Sequence, residues 1–302
     1  MDDLRREHQP VLLGPVLELL DPRPGMVILD GTVGLGGHAA ALAPRIMPDG
    51  RYIGLDLDPE MLAEARPRLE ESGVKEVELV HASYAEFPEV LKALRLQRVD
   101  ELFLDLGVNS AQLADPARGF SFEHDGPLDM RFDRQQSGEA LELVNGLSER
   151  ELADLFYRFG QEGLSRRIAR RICQVRHEGR IRTTRVLARA VESALAKTGE
   201  VGGRIHPATR VFQALRVAVN HELENLELFL GHARDFLAPG GKLAIIAFHS
   251  LEDAIVKRFL REAKDEFQEL TSRPVVADSR ERKSNPRSRS AKLRVAQRRL
   301  SP

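Results

Sequence analysis

Asp30-Gly31-Thr32-Val33-Gly34-Leu35-Gly36-Gly37-His38 decides how this chain is read. An apolar run, Met26-Val27-Ile28-Leu29, leads into it, and a small-residue run, Ala39-Ala40-Ala41-Leu42, leaves it. That order spells strand, glycine turn, helix. Glycine lets the backbone bend tightly and approach a ligand, and the first turn of a helix aims N–H groups at whatever occupies the turn. Ile53-Gly54-Leu55-Asp56 then reads as a second strand ending in a carboxylate, placed to accept hydrogen bonds from a ribose. The pair predicts a nucleoside cofactor at the edge of an open α/β sheet.

The turn alone leaves the cofactor open. Gly34-Leu35-Gly36-Gly37-His38-Ala39 satisfies the dinucleotide pattern G-x-G-x-x-A, so NAD-type and S-adenosylmethionine-type binding both stand, beside a glycine turn with no ligand. Asp30 favours the methyl donor: a carboxylate there repels a pyrophosphate but attracts the ammonium of a methionine moiety.

Charged residues make up 30% of the 302 residues and no apolar run approaches membrane-spanning length, so a soluble, cytoplasmic protein without membrane association is expected. A single cysteine, Cys173, excludes an internal disulfide and a cysteine-built zinc site, and the histidines show no H-x-x-x-H spacing, so no metal is expected. The net charge of −1 conceals an asymmetry. Residues 280–302 carry nine Lys/Arg against Glu281 alone, hence +8, and the remainder carries −9. A second basic stretch runs through Arg166, Arg167, Arg170, Arg171, Arg176, Arg180, Arg182, Arg185 and Arg189. Arginine forks suit phosphate, so nucleic-acid contact outweighs a merely solvated face.

Strands at Val77–His81 and Val99–Asp105, with a helix over about 86–95 between them, continue the alternation and predict a doubly wound, Rossmann-like parallel sheet. Residues 107–147 read as a long ordered loop. Ser148-Glu149-Arg150-Glu151 is a capping box, and helical spacing follows it and recurs over 164–177 and 184–197. Val211–Ala238 reads as one long helix stopped by Pro239-Gly240-Gly241. Lys242–Phe248 is a buried strand, Asp253–Phe267 a helix, and Val275-Val276 and Leu293-Arg294-Val295 close the sheet. The expected organisation is a first catalytic part (1–108), an inserted α-helical substrate-recognition domain (109–205), and a second catalytic part ending in a basic tail (206–302). The strand ends gather Gly34–His38, Asp56, Asp105 and Phe248-His249-Ser250 on the edge where open α/β sheets bind ligands.

Beyond the turn, Asp105-Leu106-Gly107-Val108, Gln112-Leu113, Arg118–Phe122, Gly126–Arg131, His206–Arg216, Phe248–Asp253 and Asn285–Ser290 occur in an order that resembles the RsmH/MraW family of bacterial 16S ribosomal RNA cytosine-N4 methyltransferases. The resemblance implies a class I S-adenosylmethionine-dependent methyltransferase fold with an inserted helical domain. It implies methylation of the exocyclic N4 of cytidine 1402 in 16S rRNA, carried by the small ribosomal subunit. It assigns the cofactor to Gly36, Gly37, His38, Asp56, Tyr84, Asp105 and Gln112. The chain departs from the family pattern at Asn109 (usually serine), Ala254 (usually arginine) and Phe132 (usually methionine). The catalytic residues expected are Asp105 and Asn109 on the amine, with His249 as a later proton acceptor or a contact to the base edge. Phe120, Phe122 and Phe248 are candidates to stack on a flipped base, and both arginine clusters to hold phosphates. A homodimer is compatible with this reading. The rival readings are an NAD-dependent oxidoreductase and a non-catalytic RNA-binding or ribosome-assembly factor.

Overall fold

The computed structural model describes residues 9–72, 77–196 and 206–300. The chain divides into two compact bodies, Met1–Gly107 with Leu223–Pro302, and Val108–Glu222.

The first body is built on seven strands: β1 (Val27–Asp30), β2 (Arg51–Asp56), β3 (Val77–His81), β4 (Val99–Asp105), β5 (Leu237–Ala247), β6 (Phe267–Glu269) and β7 (Lys292–Arg298). Their order is β3-β2-β1-β4-β5-β7-β6. The first five are parallel, and β7 pairs antiparallel with both β5 and β6. Registers Asp30↔Gly54 and Asp105↔Ile246 bring the carboxyl ends of β1, β2, β4 and β5 to one edge. Central strands are apolar on both faces because both are covered. Ile28, Phe103, Ala244 and Ile246 pack toward α1 (Leu13–Leu20), α2 (Ala39–Ile46) and α3 (Pro59–Glu71) through Val16, Leu42 and Leu62. Leu29, Leu102, Leu104 and Ile245 pack toward α4 (Phe87–Ala93), α11 (Glu222–Phe236) and α12 (Ser250–Glu262) through Phe87, Phe229 and Phe259. Among the described residues no helix is long and apolar enough to cross a membrane.

A buried carboxyl interrupts this core. Glu101, on β4, is 2% exposed, and its Oε2 finds no hydrogen-bond partner among the described residues. Burial pushes its carboxyl up to about 8, against the pull of Lys242 and helped by Asp100 and Asp21. The folded state therefore holds a proton that the unfolded chain releases, so this group's contribution to stability is lost as pH rises from about 4.5 toward about 8. Glu101→Met is expected to stabilise by about 1–2 kcal/mol at pH 8 and by less at pH 5. Urea unfolding across that range checks it; parallel curves for the two proteins would refute the buried-carboxyl argument.

The second body holds α5 (Ser110–Ala114), α6 (Ala140–Gly146), α7 (Glu149–Gly160), α8 (Ser165–Glu178), α9 (Thr184–Leu195) and α10 (Ala208–Val219). The capping box opening α7 is present: Ser148 Oγ accepts from Glu151 N–H (3.3 Å) and Glu151 Oε2 from Ser148 N–H (2.8 Å). The expected long loop is tethered to the helical core by Phe120, Leu128 and Met130, all buried. Arg118 crosses beneath it, 2% exposed, donating to the carbonyls of Arg131 (3.0 Å) and Phe132 (2.8 Å).

Three expectations are corrected. The helical body extends to Glu222 rather than stopping at 205, because Ala208, Val211, Phe212 and Leu215 of α10 belong to its core. The long helix expected from Val211 to Ala238 breaks at Asn220-His221: His221 takes a left-handed φ of 50° and a new helix starts at Glu222, while Pro239-Gly240-Gly241 lies inside β5. The basic C-terminal segment is not a tail: residues 292–298 form β7, and much of its charge is internal. Arg294 (2.7 Å) and Lys292 (3.3 Å) pair with Asp253, and Arg298 donates to the Leu237 carbonyl. Val275 makes only an isolated bridge to Leu293, and β6 closes the edge instead.

Candidate active site

The glycine turn is tied to both neighbouring strand ends. Gly31 N–H donates to Phe103 O (3.0 Å), Val33 N–H to Leu55 O (3.0 Å), and Thr32 Oγ1 accepts from Asp105 N–H (2.6 Å). Gly36 has a φ of +77°, and a Cβ there would sit 3.2 Å from Ala65 Cβ, so glycine is required by conformation as well as space. Intrahelical bonding begins at Ala40 N–H to Gly36 O (2.9 Å), leaving the preceding N–H groups of Gly37 and His38 to open the helix end.

Asp56 ends β2, with Oδ2 accepting from Gly34 N–H (2.7 Å) and Oδ1 from Asp58 N–H (2.9 Å). Burial pushes its carboxyl up to about 7 against those two bonds, with Asp58 and Asp30 adding repulsion. Each oxygen keeps a second lone pair, which suits a vicinal diol. Tyr84 starts a short turn after β3 that Ser83 caps, and it stands edge-on to Phe229 (5.8 Å). A Cβ on Gly31 would come 2.7 Å from Tyr84 Cβ, so the base of the Tyr84 side chain sits against the start of the turn.

Asp105 ends β4. Its Oδ1 is buried without a hydrogen-bond partner among the described residues, and its Oδ2 lies 3.5 Å from His38 Nδ1. Burial pushes Asp105 up to about 7; Arg287 opposes the shift and Glu252 adds to it. His38 Nε2 contacts the Val11 carbonyl (2.9 Å), which can only accept, so Nε2 carries the proton and Nδ1 presents a lone pair to Asp105. Burial lowers the His38 pKa and keeps the ring neutral. Asp30, expected to face a ligand, instead turns inward: 1% exposed, it accepts from Tyr52 Oη (2.6 Å) and Thr32 N–H (2.9 Å), and burial raises it to about 6. It braces the turn from beneath.

His249 caps α12. Its Nδ1 accepts from Glu252 N–H (3.3 Å), while Glu252 Oε2 accepts from the N–H groups of Phe248 (2.8 Å) and His249 (3.1 Å). The cap leaves the proton on Nε2, which lies 3.2 Å from Glu252 Oε1 without hydrogen-bond alignment. The ring is thus held as a donor, which does not suit the expected role of proton acceptor. Asn109 and Gln112 lie in the second body and cap α5 reciprocally: Asn109 Oδ1 accepts from Gln112 N–H (2.9 Å) and Gln112 Oε1 from Asn109 N–H (3.1 Å). Serine and asparagine serve equally as helix caps, which accounts for the asparagine here.

The expected stacking faces are largely taken. Phe120 stacks on Phe132 (5.5 Å), and Phe122 packs on His206 (4.5 Å) and Phe212 (5.0 Å), within the second body's core. The Arg287 guanidinium lies over Phe248, 6.0 Å from its centroid. Arg287 is a site residue missed in the sequence because Asn285–Ser290 reads as an exposed phosphate-binding run. It stands at this edge, acting on Asp105 and His38.

A positive-φ glycine cradle, an open helix end and a diol-ready acid fit one cofactor, a nucleoside that carries an amino acid. The MraW methylase family model matches residues 5–299. The chain belongs to the MraW methylase family. Relatives named ribosomal RNA small subunit methyltransferase H include one from Sorangium cellulosum, 49% identical over 97% of this chain and 91% of the relative. Another, from Solidesulfovibrio magneticus, is 47% identical over 96% and 95%. A solved S-adenosylmethionine-dependent O-methyltransferase from Thermotoga maritima is similar over 98% of this chain and 69% of that one, at 12% identity and a TM-score of 0.45. This MraW-family methylase has the class I methyltransferase fold, with the antiparallel β7 set between β5 and the edge strand β6.

Proposed function

We propose that the protein methylates the exocyclic N4 of cytidine 1402 in 16S ribosomal RNA, on the small ribosomal subunit in the cytoplasm. The observation that carries this reading is Asp105, a buried acid with one oxygen unspent at the cofactor edge of a MraW-family chain. The full-length likeness to small-subunit methyltransferases supports the substrate.

Bound S-adenosylmethionine supplies an electrophilic methyl group on a positive sulfonium. The chain's own residues bind and orient. Gly36, Gly37 and His38 offer the helix end to a carboxylate, Asp56 accepts from the ribose hydroxyls, and Tyr84 flanks the adenine. Cytosine N4 is a poor nucleophile because its lone pair is delocalised into the ring. Asp105 Oδ1 accepts a hydrogen bond from the amine, orients its lone pair and takes the proton that the methylated amine sheds. His249 Nε2–H donates to a ring acceptor of the base. Asn109 and Gln112 shape the start of α5; Asn109 is already spent on its cap, so the amine contact rests on Asp105.

Phosphate contacts come from exposed arginines: Arg166, Arg167 and Arg170 on α8, Arg185 and Arg189 on α9, and Arg280, Arg282 and Arg289 of the C-terminal segment. Arg171 and Arg176 are engaged internally, with Ser193 Oγ (2.9 Å) and the Val144 carbonyl (2.8 Å). If about six phosphates are contacted, affinity for small subunits is expected to fall about 10³-fold between 50 and 200 mM salt. Filter binding across that range checks it, and a flat response would remove this surface from the account.

The deciding experiment incubates undermethylated small subunits with the protein and labelled S-adenosylmethionine and maps the label. Label on N4 of a single decoding-region cytidine is expected. Label elsewhere, or none, refutes the proposal.

A further inference from the structure

The C-terminal segment carries one acid among nine basic residues, Glu281, and its carboxylate turns toward Leu12. It sits in α13 (Ser279–Ser284), whose N-cap Asp278 accepts Glu281 N–H through Oδ1 (2.7 Å). A glutamate at this third position usually reaches back to its own cap. Glu281 instead accepts the N–H of Leu12 on Oε1 at 2.7 Å, across 269 residues of sequence. Arg280, Arg282 and Lys283 of the same helix are exposed.

The Leu12 end of that bond is conformationally costly. Leu12 has a φ of 54° and a ψ of 31°, the left-handed region that a bulky side chain avoids, and it is 1% exposed. Such a conformation persists only where its surroundings over-determine it. A second tie lies on the N-terminal side of Leu12: Asn285 Nδ2 donates to the Gln9 carbonyl (2.9 Å). Residues 9–12 are thus strapped down at both ends by the C-terminal segment.

The inner face of the strap meets the cofactor turn. Pro10 Cβ lies 3.4 Å from the position a Cβ on Gly37 would take. The Val11 carbonyl, between the two ties, accepts from His38 Nε2 (2.9 Å) and thereby fixes the ring nitrogen that faces Asp105. We propose that Glu281 is a positioning residue for the methyl donor, holding Gln9–Leu12 as a wall of the Gly37–His38 turn. The segment read from sequence as an RNA-binding tail therefore has an inner face that serves the cofactor. This inference rests on the reading of that turn as the S-adenosylmethionine site.

The test is titration calorimetry of S-adenosylmethionine into the wild type, Glu281→Ala and Glu281→Gln, with thermal unfolding and single-turnover methyl transfer at saturating donor. Glu281→Ala is expected to weaken donor binding about tenfold, the scale of one charge-assisted hydrogen bond. Glu281→Gln keeps an oxygen that can accept Leu12 N–H and is expected to recover binding to within about threefold. The transfer rate at saturating donor stays near the wild-type value. Wild-type donor affinity in Glu281→Ala, with only the unfolding midpoint lowered, would reduce the contact to a fold staple and overturn the inference alone. A wild-type protein that does not bind the donor overturns the site reading and the inference together. Should Glu281→Ala not fold, Asn285→Ala carries the same comparison, with about a threefold loss expected from its neutral bond.

Discussion

Asp105→Asn is expected to lower methyl transfer by about 10³-fold, within the range for removing a positioned proton acceptor, with little change in fold. The substitution is isosteric, and Asp105's backbone N–H bond to Thr32 Oγ1 (2.6 Å) does not involve the side chain. What is lost is a carboxylate whose Oδ1 no group among the described residues uses. The pH dependence follows from its environment. Burial raises this carboxyl to about 7, so it is ionised above that pH and protonated below it. The ionised form is the one that accepts the amine's proton, so the wild-type rate should fall with pH below about 7, by about tenfold per unit at the limit. Asp105→Asn has no such acidic limb. Single-turnover rates from pH 5.5 to 8.5 decide the matter: an asparagine variant that keeps both a near-wild-type rate and the acidic limb would show that another group takes the proton.

Gly119→Ala is expected to destabilise the protein by about 3 kcal/mol or more, through left-handed strain plus a backbone overlap that no rotamer relieves. Gly119 has a φ of +71°, and a Cβ would overlap the Pro127 carbonyl oxygen and sit 3.0 Å from Asp129 N. Both neighbours are backbone, held by Leu128 N–H to Arg182 O (3.2 Å) and Met130 N–H to Arg118 O (3.0 Å). Arg118, next in chain, ties the loop by donating to Arg131 and Phe132, so displacement at 119 loosens the whole 118–132 segment. Urea unfolding and limited proteolysis of that segment measure it. An alanine variant as stable and as resistant as the wild type would mean the loop has slack that its packing does not suggest.

The two predictions differ in how far the sequence reaches them. Asp105 was legible because its signal is local: a continuously apolar strand ending in an acid, beside a glycine turn and a second strand that also ends in an acid. Gly119 was visible only as part of a motif, and its necessity comes from Pro127, which the fold brings across the turn. Asp30 shows the same boundary. Its place at a strand end was readable, but Tyr52, its partner across the sheet, turns it from ligand contact to internal brace. His249 was readable as a strand-end histidine, whereas its tautomer depends on Glu252 and the cap it closes. The C-terminal basic run was the largest misreading. Charge predicts solvent when counted along the chain, but Arg294 and Lys292 meet Asp253 in the sheet, and Glu281 finds Leu12 near the opposite terminus.

Sequence by itself determined the parallel sheet, its glycine turn, the acids at its carboxyl edge and the presence of a helical insertion. These follow from periodicities and turn chemistry that act within a few residues. Tertiary structure alone decided that α10 belongs to the helical body, that β7 enters antiparallel, and that Gln9 and Leu12 meet Asn285 and Glu281. Those outcomes depend on which apolar faces and which unpaired polar groups find each other across long stretches of chain, and spacing along a single sequence carries no measure of that.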